Sequence, residues 1–196
     1  MSVKVILITG TPCVGKTTIS KTLASKINAV HIDVAELVKR ERLYSKIDKE
    51  RNSLIADLDK VSKRIGEMIK KSEKNIIIDG HYAVHIVNPE DVNFVFVLRK
   101  DPENLKTLME KRGYAGRKLW ENLEAEILDV CLLEAIEICG KNKVCEIDTT
   151  DKSIDEIVNE IVDIIAGKGR CNIGIVDWIS KLEEKGILDS FLKNLP

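Results

Sequence analysis

The sequence predicts an α/β fold built on a five-stranded parallel sheet, and three observations carry that prediction. Short apolar runs recur at Val3–Thr9, Ala29–Ile32, Asn75–Asp79, Val92–Leu98 and Val144–Ile147, each of the length of a buried strand. Between them lie stretches whose apolar residues recur at helical spacing, the alternation that leads to a parallel sheet. The first run passes directly into Gly10-Thr11-Pro12-Cys13-Val14-Gly15-Lys16-Thr17-Thr18, a G-x-x-x-x-G-K-[ST] loop between strand and helix.

The elements follow in order. A first helix is expected from Lys16 to about Ile27, with Ile19, Leu23 and Ile27 on one face. Asp33 stands where it can cap a second helix carrying Leu37, Arg40 and Arg42. From Asp48 to Lys71 the chain is strongly charged and turns helical through Leu58, Val61, Ile65 and Ile69; this region is expected to stand off the sheet. A helix from Pro102 to about Lys111 leads to the basic turn Arg112-Gly113-Tyr114-Ala115-Gly116-Arg117-Lys118, and one long helix is expected from Leu119 to Cys139. Ser153 and Glu156 have the spacing of a capping box and open a helix to Ile165. Beyond Gly167-Lys168-Gly169 the composition shifts. Ile175, Ile179 and Leu182 are expected on one helical face, and Leu188, Phe191, Leu192 and Leu195 on another, with Gly186 between.

The balance of residues excludes several classes. A hydrophobic content of 44% in 196 residues supports one proper core, and the net charge of −1 speaks against wholesale electrostatic binding of nucleic acid. No apolar run approaches a membrane span, and the N-terminus runs straight into the first strand, so a cytoplasmic protein is expected. Five cysteines without a C-x-x-C pair suggest buried thiols rather than a metal cluster or a disulfide framework. The absence of glutamine and the wealth of Lys, Glu and Ile lean toward a thermophile, where intracellular disulfides do occur.

The chemistry gathers at the carboxyl ends of the strands, where such sheets bind ligands. Phosphate binding is assigned to Gly10, Pro12, Cys13, Val14, Gly15, Lys16, Thr17 and Thr18. The glycines admit backbone angles that let N–H groups converge on phosphate oxygens. Lys16 supplies the cation to the β- and γ-phosphates, Thr17 is placed to ligate Mg²⁺, and the helix N-terminus adds its positive end. Asp79 ends the third strand and is expected to organise Mg²⁺ with Thr17. His81, two residues on, can orient a water or accept its proton. His31 and His85 are read as structural. Arg112, Arg117 and Lys118 have the look of a phosphate-clamping lid, and Arg40 and Arg42 of cations for an acceptor's phosphate.

Taken together, these residues resemble the nucleoside monophosphate kinases, and most closely an archaeal member of the adenylate kinase isoenzyme 6 family. Three blocks carry the resemblance: the loop from Gly10 to Thr18; Asp79-x-His81; and Arg112-Gly113-Tyr114 with Lys118, Glu121-Asn122 and Ala125-Glu126-Ile127. Ordinary adenylate kinases carry Asp-Gly-Phe-Pro-Arg after the third strand. Here Asp79-Gly80-His81-Tyr82-Ala83 lacks the arginine, as the resemblance leads one to expect. It implies a three-layer P-loop fold over 1–168, with an AMP-binding insertion near 33–72, a lid near 112–118 and a helical extension at 169–196.

The implied reaction is ATP + AMP giving two ADP with Mg²⁺, accompanied by ATP hydrolysis. Lys16, Asp79, His81 and Arg112 would be catalytic, with Asp33, Arg40 and Arg42 on AMP. The resemblance also implies a part in maturation of the small ribosomal subunit through the protein uS11, whose basic tail the acids Glu36, Glu41, Asp48 and Glu50 would steer. Two alternatives are a kinase of a small metabolite such as shikimate, and an assembly factor whose hydrolysis only times binding.

Overall fold

The computed structural model describes residues 3–48 and 53–192. Strand β1 (Val5–Thr9) is buried at every position and leads through the glycine-rich loop into α1 (Lys16–Lys26). β2 (Val30–Asp33) runs straight into α2 (Val34–Glu41), capped by Asp33, whose carboxylate accepts from the Glu36 amide. A hairpin of β3 (Tyr44–Asp48) and β4 (Ser53–Ala56) precedes α3 (Leu58–Lys71). β5 (Ile76–Asp79), the single turn α4 (Ala83–Ile86), β6 (Phe94–Arg99), α5 (Pro102–Lys111), α6 (Gly116–Ile127) and α7 (Val130–Cys139) follow. β7 (Val144–Asp148), α8 (Ile154–Ile165), α9 (Trp178–Glu184) and α10 (Leu188–Leu192) complete the order.

The main sheet has the order β2-β5-β1-β6-β7, all neighbours parallel, so β1 lies at its centre. Side chains alternate across a strand, and the two faces of β1 show why the domain has three layers. Ile6 and Ile8 join one apolar cluster with α1, α5, α6 and α8; Val5 and Leu7 join the other with α2, α3, α4 and α7. A strand buried on both faces has to read as an unbroken apolar run, and β1, β5 and β6 do.

Four expectations need correction. The region before Lys71 does not simply stand off the sheet. Leu37 and Val38 of α2 and Val61 and Ile65 of α3 are buried against it, and only the hairpin forms a sheet of its own. Glu50 and Leu195 lie outside the described residues. The long helix is two, broken at Leu128 and Asp129, where Asp129 takes a left-handed φ of 57°. The cause is Arg99. Its guanidinium captures the Glu126 carbonyl at 2.8 Å, which a continuous helix would use for the amide four residues on, and holds the Asp129 carboxylate at 2.5 Å. In the tail, Leu182 and Phe191 from the two expected faces are buried, but Trp178 joins them inward while Ile175 and Ile179 are exposed.

The fourth correction concerns the cysteines. Cys145 on β7 is bonded to Cys171, which ties the tail along the open edge of the sheet; Cys13, Cys131 and Cys139 remain free thiols. The Glu146 amide donates to the Asn172 carbonyl (2.8 Å), and the Ile175 amide donates to the Glu146 carboxylate (2.9 Å), so this segment covers an edge strand. A bridge closing a loop of 26 residues stabilises by about 3 kcal/mol. Cys171→Ser is therefore expected to lower the melting temperature by several degrees and to abolish its sensitivity to reductant. Melting curves with and without reductant check this, and identical curves for the wild type would contradict the bond.

Candidate active site

The loop after β1 is shaped by three left-handed residues: Gly10 (φ 134°), Cys13 (φ 72°) and Gly15 (φ 103°). At Gly10 the need for glycine is steric as well, because a Cβ there would stand 2.5 Å from the Leu98 carbonyl oxygen. Val14 turns into the core, Pro12 and Cys13 are half-buried, and Thr18 is exposed on α1. Helices α2, α3, α5 and α8 each have a side-chain cap and an acid in the first turn. α1 has neither. Its first amides are thus left to an anion from outside the chain.

Lys16 lies back over the loop and donates to the Gly10 and Thr11 carbonyls, both at 2.8 Å. An ammonium has three N–H groups, and these two bonds fix its position while one remains for a phosphate oxygen. Burial pushes the Lys16 pKa down, opposed by charges that include the Asp79 and Glu126 carboxylates. The Thr17 hydroxyl donates to Asp33 at 3.4 Å. Asp33 and Asp79 are register partners at the ends of adjacent strands β2 and β5. Asp79 is buried, and its carboxylate meets His31 Nε2 at 3.0 Å, so His31 touches the site rather than standing apart from it.

His81 Nδ1 lies 3.2 Å from the Gly10 carbonyl and 3.6 Å from Cys131 Sγ; donation to the carbonyl, which can only accept, puts the proton on Nδ1 and leaves the lone pair on Nε2. Burial, together with the nearby Lys16 charge, holds the His81 pKa below its ordinary value. The imidazole is then neutral at neutral pH. Across the site, Asp33 and Arg40 line a cavity of about 120 Å³ with His31, Glu36, Leu37 and Met68. Arg42 is not on α2. It caps the helix in a left-handed conformation (φ 56°) and is exposed outside this cavity.

The basic turn also differs from expectation, because α6 begins at Gly116 and takes Arg117 and Lys118 into its first turn. Arg117 is paired with Glu121 at 2.7 Å and Lys118 lies over the Tyr114 ring, while Arg112 ends α5 as an exposed residue. An exposed ion pair of this kind is worth about 0–1 kcal/mol, so Arg117 can exchange Glu121 for a phosphate at little cost.

Glu126, which stands in one block of the resemblance, and Arg99, which ends an apolar strand beside Gly10 and Asp79, had no role assigned to them from the sequence. Both are buried, and Glu126 accepts from the Thr11 hydroxyl of the loop at 2.6 Å and from Arg99 Nε at 2.8 Å. Arg99 also binds Glu146 at 2.5 Å. Burial works against the Arg99 charge, yet the carboxylates of Glu126 and Asp129 outweigh it and hold its pKa above the ordinary value. The available signals were an arginine ending an apolar strand and a glutamate within the block of the resemblance; neither shows that the two pair.

Among the described residues no group of three or more His, Cys, Asp and Glu side chains is set to cage a metal. No helix there is long and apolar enough to cross a membrane. The oxygen donors Thr17, Asp33 and Asp79 suit a hard cation, and Mg²⁺ is commonly held by one or two carboxylates plus substrate phosphates.

Comparison with known proteins bears on the family and the fold. The family profile described as "AAA domain" matches residues 6–129. A curated protein of Methanocaldococcus jannaschii named "Putative adenylate kinase" is 47% identical over 176 residues, spanning 90% of this chain and 93% of that protein. One of the same name from Thermococcus kodakarensis is 37% identical over 180 residues, spanning 92% and 96%. Among solved structures, a shikimate kinase from Acinetobacter baumannii aligns with a TM-score of 0.59 at 15% identity, over 85% of this chain and 94% of that one. A thymidylate kinase from Candida albicans aligns with a TM-score of 0.54 at 19% identity, over 84% and 92%. Likeness at such identities is a likeness of fold.

Proposed function

The chain belongs to the AAA-domain P-loop family and, within it, to the group of archaeal proteins that share the adenylate kinase name; from that premise we propose that its cleft transfers the γ-phosphoryl group of ATP to AMP, giving two ADP. One observation carries the proposal. Asp33 accepts the Thr17 hydroxyl of the phosphate loop and also lines the cavity with Arg40, so donor and acceptor sites adjoin through a shared residue.

The roles follow from the geometry. The loop amides and Lys16 hold the β- and γ-phosphates, and Arg40 meets the phosphate of AMP, with Arg42 farther out. The cavity is small against the roughly 300 Å³ at which ligand pockets begin. It suits the phosphate and part of the ribose, with the base lying across the open side. Thr17 and Asp79, with Asp33 beside them, would hold Mg²⁺, which when bound neutralises charge on the phosphate oxygens. Arg112, with Arg117 or Lys118, meets the migrating phosphoryl group from the α5–α6 junction. AMP brings its own nucleophile, so this reaction is a matter of positioning and electrostatics.

In the absence of AMP, His81 Nε2 orients a water and the same site hydrolyses ATP slowly. His81→Ala is therefore expected to reduce hydrolysis more than AMP phosphorylation, in parallel assays of the two activities. Equal loss would confine His81 to holding the Gly10 carbonyl. Hydrolysis should persist on the acid side to below pH 6.5, the ordinary histidine value, because the depressed pKa keeps the imidazole neutral until lower pH. An acid limb above pH 6.5 contradicts that role.

The ribosomal role rests on the resemblance alone. Of the acids that would steer a basic tail, Glu41 is already paired with Arg64 at 2.7 Å and Glu36 lines the cavity, where a bound tail would exclude AMP. Titration of uS11 at two salt levels, with and without AMP, tests it, and failure to bind at low salt removes it. The proposal as a whole is tested by ADP formation with AMP, with other nucleoside monophosphates, with shikimate and with no acceptor. AMP is expected to give the fastest rate. Preference for shikimate would move the chain to the small-metabolite kinases.

A further inference from the structure

The tail after β7 reaches the phosphate loop through a single carboxylate. Glu126 Oε2 accepts the Thr11 hydroxyl at 2.6 Å, while Oε1 accepts Arg99 Nε at 2.8 Å, the Lys100 amide at 3.2 Å and the Trp178 indole N–H at 3.0 Å. Thr11, Glu126 and Trp178 are all at least 95% buried, so none of these bonds competes with bulk water. The Thr11 carbonyl in turn accepts from Lys16 at 2.8 Å. A continuous run of contacts therefore joins Trp178, Glu126, Thr11 and Lys16.

The indole is also held from behind. α9 is pinned to the start of α5 by Lys181 on Asp101 (2.8 Å) and by Lys185 on Glu103. Leu182, one turn beyond Trp178, packs in the core. A helix needed only to cover apolar surface would not require an indole N–H aimed at a carboxylate shared with the loop.

We infer that Trp178 is a positioning residue for the phosphate site, setting the Glu126 carboxylate that holds Thr11 and, through it, Lys16. The inference rests on the nucleotide-binding reading of the loop. The C-terminal segment is thereby part of the nucleotide site, although it lies far from the loop in sequence.

The test is ATP affinity by calorimetric titration, with melting curves, for the wild type, Trp178→Phe, Thr11→Val, the double variant and Leu182→Ala. Trp178→Phe keeps the ring and loses the donor; a hydrogen bond to a charged group corresponds to about a tenfold weakening of ATP binding. Thr11→Val should weaken binding comparably. The double variant should be no weaker than the weaker single one, because both act through Glu126. Leu182→Ala should lower the melting temperature while leaving ATP affinity unchanged.

A second measurement uses a fully folded core around Trp178. The chain has two tryptophans, so in Trp120→Phe the remaining indole emission is that of Trp178. It should change on adding ATP, and the change should vanish when Thr11→Val is added. Wild-type affinity in Trp178→Phe, losses that add with Thr11→Val, equal weakening by Leu182→Ala, or emission indifferent to ATP would each overturn the inference. A wild-type chain that binds no ATP would instead remove the nucleotide reading, and this inference with it.

Discussion

Lys16→Ala is expected to lower phosphoryl transfer by a factor of about 10² or more, the usual loss when a contact to transition-state charge is removed. No other cation among the described residues donates to both the Gly10 and Thr11 carbonyls, so none is placed to replace it. The fold should survive. Burial disfavours the ammonium charge, so its removal relieves a desolvation cost while the loop loses two hydrogen bonds. A steady-state assay with ATP and AMP, with a melting curve beside it, checks both halves. Turnover near that of the wild type in a folded variant would refute the assignment of the loop.

Arg99→Met has the largest expected effect on stability. It leaves the carboxylates of Glu126 and Glu146 buried without their cation, and removing one partner of such an arrangement costs about 3–5 kcal/mol. Urea denaturation of the wild type and the variant checks this, with the midpoint expected to fall steeply in the variant. An unchanged midpoint would mean that Arg99 is not the counter-charge of this cluster.

Local patterns revealed the sheet and the phosphate loop, because each rests on neighbours in sequence. β1 is an unbroken apolar run, Ser153 and Glu156 form the capping box they were spaced for, and Asp33 caps α2. What stayed hidden depends on distant partners. Nothing between Leu119 and Cys139 is a glycine or proline, and the break at Asp129 becomes intelligible only once Arg99 is known to face it. The bond between Cys145 and Cys171 depends on the tail lying beside β7. Trp178 could not be chosen over Ile175 and Ile179 as the inward residue without knowing that Glu126 awaits its N–H. The β3–β4 hairpin was obscured because Tyr44-Ser45-Lys46-Ile47-Asp48 spaces its apolar residues three apart rather than two, and its pairing shifts register between Tyr44 and Lys46.

The central claim is that one cleft moves a phosphoryl group from ATP to AMP, and the most direct measurement follows the acceptor itself. Adenine-labelled AMP is incubated with unlabelled ATP, Mg²⁺ and the protein, and the label is traced over time. The account predicts labelled ADP appearing in step with ATP consumption, one for one at early times, and its disappearance in Lys16→Ala. Label that stays in AMP while unlabelled ADP accumulates at the same rate would show hydrolysis without transfer, and would contradict the account.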